Sequence, residues 1–194
     1  MRHDGRHLSG LRTLACVCLA SCVSLLSCSA GSPAHAQGLA DAATLPDLSG
    51  LAWVADDLFI GIHDAKRNAE KYNWPRVSLV QLPKSELQGT TWRTLDLKFP
   101  GAEGRSSDLE SACRIPGTTS YLFAESGQEG DSDRRIFHAV YDTGTLKIQS
   151  HIQWPVPIQN VEATEVCRAG KQLIFLYAER ADSLPWTKLR WAPL

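Results

Sequence analysis

The sequence predicts an all-β protein, a partial β-propeller of about three antiparallel blades. Two observations lead there. A motif recurs three times along the chain, and each copy reads as a strand, a tight turn and an apolar strand. The stretches between copies alternate apolar and polar residues with a period of two, as half-buried outer strands do.

The first copy is Asp47-Leu48-Ser49-Gly50-Leu51-Ala52-Trp53, followed by Leu58-Phe59-Ile60-Gly61-Ile62-His63-Asp64. The second is Asp108-Leu109-Glu110-Ser111-Ala112-Cys113, followed by Tyr121-Leu122-Phe123-Ala124-Glu125-Ser126. The third is Asn160-Val161-Glu162-Ala163-Thr164-Glu165-Val166-Cys167, followed by Leu173-Ile174-Phe175-Leu176-Tyr177-Ala178-Glu179-Arg180. Inner hairpins are therefore expected at residues 48–63, 109–125 and 161–179. The copies start 61 and 52 residues apart, a little longer than the ~40 to 50 residues of known blade repeats. Surface loops absorb such additions at small entropic cost.

Outer strands are expected at residues 76–82 and 95–99 after the first hairpin, and at 136–141 and 146–149 after the second. Residues 188–191 open one strand after the third, where the sequence ends. The rival architecture is a generic antiparallel sandwich. Closed propellers have typically ~4 to 8 blades. Three units imply a shortened form of a longer propeller, or self-association with another copy through the open blade edge.

The domain plan has two parts. Residues 1–36 read as a signal peptide: Arg2, Arg6 and Arg12, then an apolar run over residues 14–26, then Ala34-His35-Ala36. The apolar run is shorter than the ~20 residues of a membrane span. Two cleavage readings stay open. Cutting after Ala36 gives a soluble product, whereas Leu19-Ala20-Ser21-Cys22 and Leu25-Leu26-Ser27-Cys28 resemble lipoprotein boxes and give a lipid anchor. Residues 37–194 form the incomplete propeller domain, exported to the periplasm or the extracellular space.

Four of the six cysteines lie in the leader, leaving Cys113 and Cys167. In an exported protein such a pair is compatible with a disulfide. Their spacing does not suit zinc. The whole chain has a net charge of −1. The leader's three Arg and one Asp account for +2 of it, so the remainder stands at −3. That balance excludes a basic nucleic-acid surface. No G-x-S-x-G, H-E-x-x-H or phosphate-binding glycine loop occurs in the exported part, so serine hydrolase, zincin and nucleotide-binding chemistries lack their motifs.

In a hairpin, the start of the first strand and the end of the second meet at one end. This places Ser49 near His63 and Asp64, Glu110 near Glu125 and Ser126, and Glu162 near Glu179 and Arg180. With Asp108, the four glutamates Glu110, Glu125, Glu162 and Glu179 make an oxygen-rich set suited to calcium. His63 or Asp64 could move protons, and Arg180 could hold a phosphate. The competing reading is structural: acidic residues at strand starts cap turns. The acidic, glycine-rich residues 125–133 do not fit the EF-hand pattern and read as a solvated loop.

Taken in order, DLSGLAW…LFIGIHD, DLESA…YLFAES and NVEAT…LIFLYAER resemble the phytase-like, SdiA-regulated type of β-propeller, over most of residues 47–180. The resemblance implies an exported propeller with an acidic, calcium-dependent central site and esterase-like or phosphoesterase activity on a small or phosphorylated substrate. Matching positions are Ser49, Gly50, Asp64, Asp108, Glu110, Glu125, Glu162 and Glu179. The sequence departs from the pattern at Ser111 and Ala163, where glycine is usual. A non-catalytic periplasmic binding scaffold and a remnant of a longer propeller are the alternatives.

Overall fold

The computed structural model describes residues 45–65, 74–85, 89–101, 104–127, 134–180 and 185–194. The signal peptide, its cleavage sites and residues 128–133 of the acidic loop lie outside them.

Among the described residues the regular structure is all strand. The elements are β1 (Leu48–Ala55), β2 (Leu58–His63), β3 (Val77–Gln81), β4 (Thr91–Leu95), β5 (Leu109–Arg114), β6 (Ser120–Glu125), β7 (Arg135–Asp142), β8 (Thr145–Gln153), β9 (Val161–Ala169), β10 (Gln172–Arg180) and β11 (Thr187–Pro193). They form three antiparallel meanders, β1-β2-β3-β4, β5-β6-β7-β8 and β9-β10-β11. The three inner hairpins stand where the repeat places them. No helix among the described residues is long and apolar enough to cross a membrane.

Tight turns set the register. The β7–β8 turn carries Thr143 at φ 43° and Gly144 at φ 86°, the pair of left-handed residues that a type I′ hairpin requires. Each inner hairpin then carries the same bulge. Leu48 pairs with His63 and Gly50 with Ile62. Leu109 pairs with Glu125 and Ser111 with Ala124. Val161 pairs with Glu179 and Ala163 with Ala178. Ser49, Glu110 and Glu162 are thereby left out of the ladder, and such an extra residue re-aims its side chain. Beyond each bulge, one backbone bond closes the hairpin mouth: Asp64 N to Asp47 O at 3.0 Å, Ser126 N to Asp108 O at 3.0 Å, and Arg180 N to Asn160 O at 2.8 Å. The three copies of the motif repeat this geometry.

The sheets stack through their first strands, with β5 between β1 and β9. Ser49 Oγ donates to Leu109 O at 2.6 Å, and Arg114 Nη1 donates to Val54 O at 2.7 Å. The hydroxyls of Ser111 and Thr164 are hydrogen-bonded across the next junction. Gly50 permits the first approach, because a Cβ there would stand 3.0 Å from Ile62 Cγ1 and 3.2 Å from Ala112 N.

Two apolar layers fill the junctions. Ile60, Ile62, Tyr121, Phe123 and Phe137 are buried in the first. Leu122, Ala124, Trp154, Phe175 and Tyr177 are buried in the second, where the Trp154 and Tyr177 rings lie 4.9 Å apart. Emptying a site such as Phe123 costs about 3–5 kcal/mol.

Two expectations change. Residues 95–99 do not form a strand, since β4 ends at Leu95. Leu95, Leu97 and Phe99 still face the first core, and Phe99 N bonds to Gly104 O at 2.9 Å. Their alternation records a chain laid along the core with no partner strand. Cys113 and Cys167 are free thiols. Cys113 is buried beside Thr164 at 3.6 Å, and burial pushes its thiol up to about 12.

Candidate functional site

The hairpin mouths carry the chemistry-bearing side chains. At the junction of the first two sheets, Asp64, Asp108 and Glu110 each bring one carboxylate oxygen to within 4.8 Å of the others. Asp64 follows the end of β2, Asp108 precedes β5, and Glu110 is the bulged residue of β5.

Several local features hold these groups. Asp108 adopts a left-handed backbone, φ 59°, a conformation that Asp tolerates better than most residues. Its side chain is buried and accepts a hydrogen bond from Ser126 Oγ. The backbone bond from Asp64 N to Asp47 O fixes Asp64. The Ser49 bond to Leu109 O ties the first mouth to the second strand set. Asp64 and Glu110 are half-buried, so the cluster is not wholly enclosed.

This arrangement matches the needs of a hard cation. Oxygens about 2.3–2.6 Å from one calcium ion lie at most about 5 Å apart. Three protein oxygens leave the remaining places of a 6–8-coordinate ion for water or a ligand.

The other sequence-predicted residues stand elsewhere. His63, Glu125 and Glu179 occupy the same position in their three hairpins, and all three are buried. Each links the residue just before its hairpin to the third strand of its own sheet. His63 Nδ1 lies 2.5 Å from Pro46 O and Nε2 lies 2.9 Å from Ser78 Oγ. A carbonyl only accepts, so Nδ1 carries the proton and Nε2 accepts from the serine. Burial lowers the pKa of His63, opposed by its bond to Pro46 and by Asp47, and the ring is neutral.

Glu125 accepts from Ser107 N at 3.2 Å and forms a two-pronged pair with Arg135, whose Nη2 and Nε stand at 2.6 and 2.8 Å. Glu179 accepts from Gln159 N at 2.6 Å and pairs with Arg190 at 3.1 Å. Glu162 and Arg180 form an ion pair at 3.1 Å on the third hairpin.

The site thus joins Asp64, Asp108 and Glu110. It does not draw in Glu125 or Glu179, which face arginines. Sequence reading placed Ser126 at the hairpin mouth without giving it a role, and Ser126 holds Asp108; it passed over Arg135 and Arg190, which hold the buried glutamates. Ser126 was visible as the residue aligned with Asp64 and Arg180. Arg135 lies across a loop from Glu125, and no local spacing links the two. No protein-family model, no curated protein and no solved structure matches the chain.

Proposed function

We propose that this chain is an exported, phytase-like β-propeller protein that binds a divalent cation, calcium, on Asp64, Asp108 and Glu110, and that the ion is the docking point for a phosphorylated ligand. The observation that carries this reading is the convergence of three carboxylates from two successive hairpins within 4.8 Å. The propeller reading is supported by three successive antiparallel meanders, two of four strands and one of three, with β1 beside β5 and β5 beside β9.

An ion so held offers open coordination places to a phosphoryl oxygen and a water. It would offset charge on the former and acidify the latter. Those are the contributions that hydrolysis of a phosphoester to phosphate and an alcohol would draw on. The residues supply the ion's position: Asp108 is the buried anchor, while Glu110 and Asp64 are half-buried.

A non-catalytic, calcium-dependent binding scaffold is the second reading. One observation favours it. His63 has both ring nitrogens in structural hydrogen bonds, and Arg180 is ion-paired with Glu162, so both are committed away from acid–base work or phosphate binding at the triad.

The test is thermal melting of the chelator-stripped protein with and without calcium, followed by a phosphoester panel. At a calcium concentration about 100-fold above Kd, stabilisation is about 2.7 kcal/mol. That corresponds to a Tm rise of about 5–11 °C for a chain of this size. Calcium-dependent turnover selects the hydrolase, and a calcium shift without turnover selects the scaffold. No calcium shift refutes both.

A further inference from the structure

We propose that two copies of this chain assemble head to tail, the outer face of the third sheet of each docking on the outer face of the first sheet of the other. Inside the chain, the same pair of faces already meets twice. Directly opposite residues of a ladder share a face, as do residues two apart on a strand. The Ile60 and Ile62 face of the first sheet packs on the Tyr121 and Phe123 face of the second. The Leu122 and Ala124 face of the second packs on the Phe175 and Tyr177 face of the third.

The register identifies these as equivalent faces. Ile60, Leu122 and Leu176 occupy one position, three residues before His63, Glu125 and Glu179. Phe59, Tyr121 and Phe175 occupy the next. Each junction therefore joins a face of the Ile60 type to a face of the Phe59 type.

Among the described residues, no further sheet covers the remaining face of each type at the ends of the stack. The third sheet presents Leu176, which pairs with Trp191, and Ala178, which pairs with Leu189. Leu189 and Trp191 are 71% and 67% exposed. The first sheet presents Trp53 beside Phe59, with Leu51 two residues earlier. Trp53 and Leu51 are 52% and 47% exposed. Apolar exposure is concentrated at these ends: seven of the ten large exposed apolar residues among the described ones lie on β1 or within residues 186–194. Contiguous apolar patches of this kind mark interaction surfaces.

The occupant follows from complementarity. The missing partner of each leftover face is a face this chain itself carries, and the same packing already operates at both internal junctions. Head-to-tail contacts make a closed ring if the rotation closes. Two copies supply six sheets, within the ~4 to 8 that propellers use. This inference rests on reading the sheets as successive blades and is independent of the cation, so a failed calcium shift would leave the expected mass unchanged.

Sedimentation equilibrium on the purified chain tests it. The expected result is one species of twice the chain mass at micromolar concentration. Leu51→Glu and Leu176→Glu should each give a monomer with an unchanged β-sheet circular dichroism spectrum. Mixing the two variants should restore a weaker dimer, because one junction of the mixed pair carries neither substitution. A monomeric wild-type protein would overturn the proposal, as would a mass growing without limit or a dimer unaffected by both variants. The wild-type mass decides the matter even if a variant fails to fold.

Discussion

The first junction between sheets and the second are built alike and carry different chemistry. At the first, the mouth residues are Asp64, Asp108 and Glu110, and their oxygens converge. At the second, the equivalent positions hold Ser126, Asn160 and Glu162. The backbone repeats closely, with the same bulge and the same closing bond. Two of three carboxylates are missing at the second, and Glu162 turns to Arg180 instead. The repeat therefore supplies a frame in which three side chains can meet. Residue identity at three positions decides whether the frame gathers negative charge. The same lesson holds at the buried position of each hairpin, where His63 donates to a carbonyl and Glu125 and Glu179 accept from amides. The link is preserved while its polarity is reversed.

The largest expected effect separates the two buried glutamates. Arg135 is almost wholly buried, whereas Arg190 is 42% exposed. Removing one partner of a buried pair costs about 3–5 kcal/mol, so Arg135→Ala should lower stability by about that amount in urea denaturation. Arg190→Ala should cost less, since water can reach its side of the pair with Glu179. Equal losses would show that the two sheets do not differ in this way.

The next effect sharpens the contrast between junctions. Asp108→Asn should abolish the calcium-induced Tm rise, and Glu162→Gln should leave it intact. A smaller effect is expected from Asn160→Asp, which adds a carboxylate to the second junction beside Glu162. Titration should then reveal a second, weaker calcium-binding step. If that step does not appear, the junctions differ in more than side-chain charge.

The smallest effect concerns pH. His63 titrates below its ordinary 6.5 because burial outweighs its favourable neighbours. The unfolded chain therefore takes up this proton first. Stability from the neutral ring is complete above pH 6.5 and is lost as pH falls towards the lowered folded value. His63→Gln should flatten that acid-side loss in melts between pH 7 and 5. An unchanged slope would assign the loss to other groups.

The hairpins were legible because their signals are local. Turn residues separate short apolar strands, and the three copies reinforce one another. The position of the triad was half legible. Asp108 and Glu110 stood out in one motif, yet their meeting with Asp64 depends on two hairpins packing side by side. The Glu125–Arg135 pair was hidden for a similar reason, since an acidic loop separates the partners. Glu125 read as a rim ligand because its sequence position gives the hairpin end and not the direction of its side chain. Residues 95–99 show the opposite failure, where alternation reported burial without a strand to pair with.

Calorimetric titration of calcium into the chelator-stripped protein and its Asp108→Asn variant addresses the convergence of Asp64, Asp108 and Glu110 most directly. One ion should bind per chain in the unaltered protein and none in the variant. Equal binding by the two, or none by either, would contradict the assignment of the first junction as the cation site.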